Sequence, residues 1–288
     1  MKLAVFSDIQ ANLPALEETI AQLEAWRPDL VVMAGDLINR GPDSGGCLAR
    51  FQAQRERLGW LPVTGNHEEW VLRCGETPAR TPGEQAVRQF ADWAWHQVAP
   101  QADALRGWPD HLCLHPPGGA AWVHVTHGSM AGNRDGIGPG TSDNRLADRR
   151  LPEGVALFVT AHTHRPFQRR FQGIDLVNVG SAGSPFDGDP RASLGRFTWH
   201  RGRWHSEIIR FPYDRVRAEQ DFHDSGFLEL GALARLVFME WQRANLLMAG
   251  WRQRYEQAVI DGLIDLEHTV TEYLDGLGLQ LPAHRRRR

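Results

Sequence analysis

Lysine is almost absent: Lys2 is the only one in 288 residues, and arginine supplies the rest of the 32 basic side chains. Base composition produces such a bias as readily as selection does, so it assigns no function. Cysteine is scarce as well. Cys47, Cys74 and Cys113 are odd in number and show no paired spacing, which argues against a disulfide framework and against a zinc ribbon. No apolar run approaches the ~20 residues that span a bilayer, and the run at Met1–Phe6 stops at Ser7-Asp8, too short for a signal peptide. A net charge of only −3 gives no reason to expect stable nucleic-acid binding or attachment to a membrane. The one low-complexity stretch, Arg285–Arg288, reads as a solvated tail with at most weak contact to phosphate-rich partners. The expectation is a soluble protein of a reducing cytoplasm.

What is present is a series of short apolar runs with turn residues between them. Leu3–Phe6, Leu30–Ala34, Trp60–Thr64, Ala121–Thr126, Ala156–Thr160 and Asp175–Val179 predict buried strands of an α/β domain, with a first crossover helix over Asn12–Trp26. A polar cluster follows each run: Ser7-Asp8-Ile9-Gln10, Gly35-Asp36, Gly65-Asn66-His67-Glu68, His127-Gly128-Ser129, Ala161-His162-Thr163-His164 and Gly180-Ser181. Ligands of open α/β sheets bind along the rim formed by the carboxyl ends of the strands, so these clusters should converge on one site. Residues 75–118 read as a variable insertion with a helix near 83–98. Beyond Pro212 the pattern changes to helical spacing, which predicts two long amphipathic helices near 227–249 and 251–275. The domain expectation is therefore 1–212 for the catalytic unit and 213–288 for a helical extension, serving as a lid or as a homodimer interface.

A cluster mixing carboxylate, amide and imidazole suits a divalent metal with nitrogen and oxygen ligands, and Asp8, Asp36, Asn66, His127, His162 and His164 supply that mixture. A lone Asp after a strand is more often a cap or turn residue. The ordered set of clusters is what favours a metal site. His124 alternates with Val123 and Val125 and reads as a packed strand residue, and Trp93, Trp95 and Trp122 read as core or interface.

In order, spacing and strand-end context these motifs resemble the calcineurin-like metallophosphoesterases, over about residues 1–212. The resemblance implies a four-layer α/β sandwich of two mixed β-sheets flanked by helices, here with a helical C-terminal extension. It also implies two divalent ions, manganese, iron or zinc. One would be held by Asp8, Gln10, Asp36 and His164, the other by Asp36, Asn66, His127 and His162, with Asp36 bridging. His67 would be the general acid, its near-neutral ordinary pKa suiting proton transfer. Gln10 departs from the family pattern, replacing an imidazole nitrogen with a neutral amide oxygen, and reads equally as a ligand or as a helix-entry residue. Ala161 replaces a glycine. The segment Gly35–Ser44 resembles that of protein phosphatases and dinucleotide tetraphosphatases, in which the arginine grips phosphate; Arg40 would do so here unless it is a solvated surface residue. Arg165 is a second candidate for substrate contact, and Asn178 and Ser181 could support the site from behind.

The implied activity is hydrolysis of a phosphodiester or phosphomonoester of a small molecule or nucleotide by metal-activated hydroxide, without a phospho-enzyme. Three alternatives compete with it: a dinucleotide polyphosphate hydrolase, a protein phosphatase, and a catalytically weak metal- or nucleotide-binding regulator, the last motivated by Gln10.

Overall fold

A computed structural model describes residues 1–119 and 121–281, so the Arg285–Arg288 run lies outside the described residues. In chain order the elements are β1 (Lys2–Phe6), α1 (Leu13–Trp26), β2 (Leu30–Ala34), α2 (Ser44–Leu58), β3 (Leu61–Val63), α3 (Asn66–Glu76) and α4 (Pro82–Val98). These are followed by α5 (Ala102–Arg106), β4 (His111–Leu114), β5 (Trp122–Thr126), α6 (Asp143–Asp148), β6 (Val155–Thr160), β7 (Phe167–Phe171) and β8 (Ile174–Asn178). A long hairpin of β9 (Ala192–His200) and β10 (Arg203–Phe211) precedes α7 (Arg215–Asp224), α8 (Ala232–Arg243), α9 (Met248–Ile260) and α10 (Leu266–Gly276).

The strands form two five-stranded sheets, ordered β10-β9-β1-β2-β3 and β4-β5-β6-β8-β7. In the first, β1, β2 and β3 run parallel, with Leu3 opposite Leu30 and Val32 opposite Leu61, and β9 returns antiparallel to β1. Successive side chains of a strand point to opposite faces, and the packing follows that alternation. Leu3 and Val5 join Val32, Ala34 and the second sheet's Val123, Val125 and Val159 in the layer between the sheets. Ala4, Phe6, Val31 and Met33 face outward against the helical layer. On the far side, Phe158 and Leu176 pack under Leu146 of α6. Two sheets between helical layers give the expected four-layer sandwich.

The predicted strands all appear, and α1 starts where expected: Asn12 caps it, its side chain accepting from the Ala15 amide at 3.2 Å. The structure corrects the C-terminal reading. The two long helices predicted over 227–249 and 251–275 are shorter pieces, a single 3₁₀ turn at Phe227–Leu230 and then α8, α9 and α10. Gly231 (φ +129°) and Gly262 (φ +71°) supply backbone conformations that interrupt a helix, and Ala244 ends α8 in the left-handed region. The apolar stripe survives the breaks because each piece turns its face to the same core. Leu233, Leu236, Trp241, Trp251, Tyr255, Val270 and Leu274 are buried there with Val87, Ala91 and Ala94 of α4. The helix predicted near 83–98 is α4, while β4, within the same 75–118 stretch, extends the second sheet beside β5. His124 is packed as expected, its ring stacked between Phe158 and His111 at 5.1 and 4.9 Å.

No helix among the described residues is long and apolar enough to cross a membrane. Trp251 is fully buried in the shared core and donates from its ring nitrogen to Thr269 at 3.1 Å. Trp251→Ala is expected to cost about 3–5 kcal/mol through the cavity it leaves. Denaturant unfolding followed by circular dichroism checks this: a single transition moving to lower denaturant is expected, and a loss below about 1 kcal/mol would show that α9 is not integral to the core.

Candidate metal centre

The strand-end clusters of both sheets meet along one rim. The loop after β1 is laced to the loop after β2 by three backbone bonds of 3.0 Å, Asp8 N–H to Gly35 O, Gln10 N–H to Asp36 O and Ala11 N–H to Leu37 O. The Ser181 hydroxyl, after β8, donates to the Asp8 carbonyl at 2.7 Å, and the Asn178 amide donates to the Ala161 carbonyl, also at 2.7 Å. Asn178 and Ser181 thus fix the backbones of two motif loops. Asp8, Gln10, Asp36, Asn39, Arg40, His162 and His164 all stand at positive φ, between 53° and 72°. Left-handed backbone costs an L-residue about 1–2 kcal/mol, so its concentration here marks a conformation imposed by the surroundings. Ala161 is not among the positive-φ residues, which is why alanine is accepted where the family pattern has glycine.

Two donor groups converge, and Asp36 belongs to both. Asp8, Asp36 and His164 bring ligand atoms within 4.8 Å of one another, and so do Asp36, His127 and His162. In the second group, His127 Nε2 lies 3.3 Å from Asp36 Oδ2, 3.1 Å from Asn66 Oδ1 and 3.2 Å from His162 Nδ1. In the first, His164 Nε2 lies 3.1 Å from Asp8 Oδ1. The Nδ1 of His127 faces the Ala34 carbonyl at 2.8 Å, and that of His164 faces the Ser184 carbonyl. A ring that donates Nδ1–H to a carbonyl presents the lone pair of Nε2, the arrangement typical of a metal-binding histidine. Phe186 stacks on His164 with ring centroids 4.1 Å apart and limits its rotation.

The electrostatics fit cations at this place. Asp8 and Asp36 are buried, and neither pairs with an arginine or lysine among the described residues. Burial would raise the Asp36 carboxyl, but His127, then His67, hold it well below the usual carboxylate range. Burial opposes protonation of His127 too, yet Asp36 drives it up to about 10. Burial and the charge of His127 push His162 down to about 4. Without metal, the His127 imidazolium offsets the charge of Asp36 and leaves the two buried carboxylates one positive charge short. Asp8 Oδ1 and Gln10 Oε1 are buried acceptors without a hydrogen-bond donor, and a metal would satisfy both. Gln10 is 2% exposed and its amide Nε2 donates to Asp36 Oδ2 at 3.1 Å, so the Gln10 oxygen is free to act as a ligand.

His67 lines the same cavity. Its backbone N–H donates to Asp36 Oδ1 at 2.9 Å, and its ring Nδ1 contacts the Asn39 side-chain amide nitrogen at 2.9 Å, which leaves Nε2 3.7 Å from Asp36 Oδ2. Burial pushes the ring down to about 3, against the pull of Asp36. The motif reading overlooked Asn39, whose only signal was its place three residues after Asp36. Arg40 is half-buried; it pairs with the buried Glu240 of α8 and lies over the Phe186 ring at 5.8 Å. Arg165 donates from Nε to the Phe186 carbonyl at 2.9 Å. Both arginines line a cavity of about 600 Å³ together with Asp36, Asn66, His67, His162 and His164. Asp8, Gln10 and His127 lie buried behind its floor.

Glu68, a motif residue to which the sequence assigned no role, holds the rim together. Its carboxylate is fully buried and accepts from Gly65 and Asp36 (Oε2, 2.8 Å each) and from Leu37 and Ile38 (Oε1, 2.8 and 3.3 Å). Burial, with Asp36 nearby, nonetheless pushes it up to about 7. Glu68→Gln would turn an NH₂ toward two amide donors and is expected to destabilise by about 2–4 kcal/mol. Calorimetric titration of metal into the folded variant should also show weaker binding, since the Asp36 loop loses its anchor. Unchanged stability and metal affinity would refute this role.

The comparisons with known proteins agree with this fold. The structure superposes on a metallophosphoesterase from Sphaerobacter thermophilus with a TM-score of 0.67, at 21% identity, covering 85% of this chain and 100% of that one. It superposes equally well, at 0.67 and 16% identity, on hypothetical protein PH1004 from Pyrococcus horikoshii OT3, covering 81% and 95%. Similarity at this identity establishes the fold. Over 81 residues the chain is 40% identical to serine/threonine-protein phosphatase 1 of Salmonella typhimurium, a match spanning 27% of this chain and 34% of that relative. The family model described as calcineurin-like phosphoesterase matches residues 1–166, so the chain belongs to the calcineurin-like phosphoesterases.

Proposed function

We propose that this chain is a two-metal phosphoesterase acting on small phosphorylated molecules or nucleotides. The observation that carries this reading is the pair of converging donor sets sharing Asp36, with Asp8 Oδ1 and Gln10 Oε1 buried beside them and accepting no hydrogen bond from the described residues. Asp8, Gln10, Asp36 and His164 would hold one ion, and Asp36, Asn66, His127 and His162 the other. The first set is richer in oxygen and suits a harder ion such as manganese; the second, with two imidazoles, suits iron or zinc. The ions would supply Lewis-acid charge and a water acidic enough to attack phosphorus.

The chain's own residues do the rest. Arg40 and Arg165 orient the phosphoryl oxygens from the cavity wall, with Arg40 aimed by its pairing to Glu240. As the bond from water to phosphorus forms and the bond to the leaving oxygen breaks, His67 Nε2 gives that oxygen a proton. Burial disfavours the protonated ring, and the negative charge developing on the leaving oxygen offsets that penalty at the moment of transfer. Asn39 holds the ring through Nδ1 and keeps Nε2 turned to the cavity.

The match to the Salmonella phosphatase favours a second reading, action on a phosphoprotein. Enclosure of the cavity by Leu246, Met248 and Arg252 at the α8–α9 junction and in α9 favours a small substrate instead.

The test is to strip the protein of metal and restore manganese, iron or zinc separately. Bis-p-nitrophenyl phosphate, p-nitrophenyl phosphate and a phosphoserine peptide are then assayed. Turnover should require added metal and fall at least ~100-fold in His67→Ala and in Asp36→Asn. The ratio of the two nitrophenyl rates distinguishes diester from monoester preference, and faster turnover of the peptide would favour the phosphoprotein reading. Bound metal with no turnover would identify a binding regulator, with Gln10→His the variant to restore activity. Asn39→Ala should lower kcat by about 10–100-fold with metal content unchanged, and a wild-type rate would remove Asn39 from the mechanism.

A further inference from the structure

The cavity extends well past the metal ligands. Its deep end holds Asp36, His67 and His162, and one flank is apolar, formed by Trp70, Phe90, Phe186, Leu246 and Met248. Arg134, Arg145 and Arg252 also line it, away from any metal ligand in sequence. Among the described residues, Asp36 and Glu256 are the carboxylates of the lining, Asp36 belonging to the candidate metal centre and Glu256 lying 2.8 Å from Arg252 Nε. Arg134 and Arg145 make no ion pair among the described residues.

The loop that carries Arg134 is built to present it. On one side, Asp135 accepts from the Ser129 hydroxyl and from Arg149. On the other, the Asn133 amide donates to Glu69 of α3 at 2.9 Å. Between these two anchors, partial burial and then the charges of Arg73, on α3, and Arg252, on α9, lower the pKa of Arg134, against the pull of Glu69 and Asp36. Arg73 lies over Trp70 of the cavity wall at 4.6 Å. Arg134, Arg145 and Arg252, from three separate elements, thus line one cavity, in a chain whose net charge is −3. Clustered like charges are unfavourable, and a cleft lined by one sign concentrates counter-ions of the other. Guanidinium forks match phosphate oxygens in particular.

We propose that Arg134 and Arg252 form a second anion subsite at the cavity mouth, which binds a phosphate group remote from the one that reacts. The substrate class is then a molecule with at least two phosphate groups, one at the metal centre and another between the loop after β5 and α9, its apolar part lying against Trp70 and Phe90. The identity of the reacting end rests on the phosphoesterase reading; the anion site does not. The helical extension contributes Arg252 and so takes part in choosing the substrate.

Two measurements test this on the full chain. The first is calorimetric titration of sodium tripolyphosphate into metal-stripped protein. Arg134→Gln and Arg252→Gln should each weaken binding at least fivefold, with affinity falling as salt rises; Arg252→Lys should recover part of it. Both arginines are exposed, and an unaltered melting temperature will show that the variants are folded. Binding that is undetectable in wild type, or as tight in either variant as in wild type, would overturn the proposal. The second is the ratio of kcat/KM for a nucleoside polyphosphate to that for p-nitrophenyl phosphate, which should fall about tenfold in each variant through KM. An unchanged ratio would also overturn it. Tripolyphosphate binding that depends on both arginines, in a protein that hydrolyses neither compound, would uphold the subsite and refute the phosphoesterase reading.

Discussion

The Glu68 carboxylate, buried with no ion pair among the described residues and surrounded by backbone amides, is the contact on which the candidate metal centre depends. Four N–H groups from the loops after β2 and β3 converge on it. Together these bonds, about 0.5–1.5 kcal/mol each and stronger when the carboxyl is ionised, offset the roughly 1–2 kcal/mol that each left-handed L-residue costs. That compensation allows the chain to hold Asp36, Asn39 and Arg40 at positive φ within five residues of one another. The loops must then lie very close together. A β-carbon on Gly65 would fall 2.2 Å from Asp36 Oδ1, and one on Gly35 would fall 2.7 Å from His127 Nδ1. Glycine at both positions is therefore a requirement of close approach, and the Gly-Asp and Gly-Asn-His-Glu motifs describe one packed unit.

Charge balance explains the next layer of the design. Two buried carboxylates need positive charge, yet no arginine or lysine among the described residues reaches either of them. Imidazoles surround the centre instead, and a histidine can be neutral when a cation is present and charged when it is not. His127 shows this capacity, driven up to about 10 by Asp36 although burial opposes the charge. A guanidinium in its place would neutralise Asp36 permanently and compete with metal. Gln10 fits the same logic, since an amide can donate to Asp36 and still offer its oxygen.

Features carried by local sequence were legible before any coordinates. Apolar runs ending in Ser-Asp, Gly-Asp or Ala-His announced β1, β2 and β6, and the turn chemistry after each run placed Asp8, Asp36 and His162 on a common rim. The β9–β10 hairpin was not announced, because Gly195 and Arg196 interrupt the alternation of β9, whose place is set by pairing with β1 nearly two hundred residues earlier. The helical stripe beyond Pro212 was plain, but its breaks were not. Met248 would continue a helix on propensity alone; instead Glu240 draws in the amides of Leu247 and Met248 at 2.6 and 2.5 Å and starts α9 in a new direction. Asn39, Phe186 and the roles of Glu68 and Glu240 were illegible for the same reason. Each depends on a partner brought close only by the tertiary fold.

Glu240 also shows why the extension and the motif core work together. Its Oε1 starts α9 while its Oε2 pairs with Arg40 in the loop after β2, so one buried carboxylate links the helix carrying Arg252 to an arginine four residues after Asp36. The cavity's arginines consequently differ in kind. Arg40 is paired and largely shielded, so it contributes direction more than charge, and salt should affect it little. Arg134 and Arg252 are exposed at the mouth, where a Debye length of ~8 Å at physiological ionic strength confines their field to the immediate entrance. A substrate of the proposed kind would therefore meet a salt-sensitive attraction first and a fixed, buried geometry afterwards. On the proposed reading, binding at the mouth and alignment at the candidate metal centre would thus be varied separately, the first through the loop after β5 and α9, the second through the packed motifs held by Glu68.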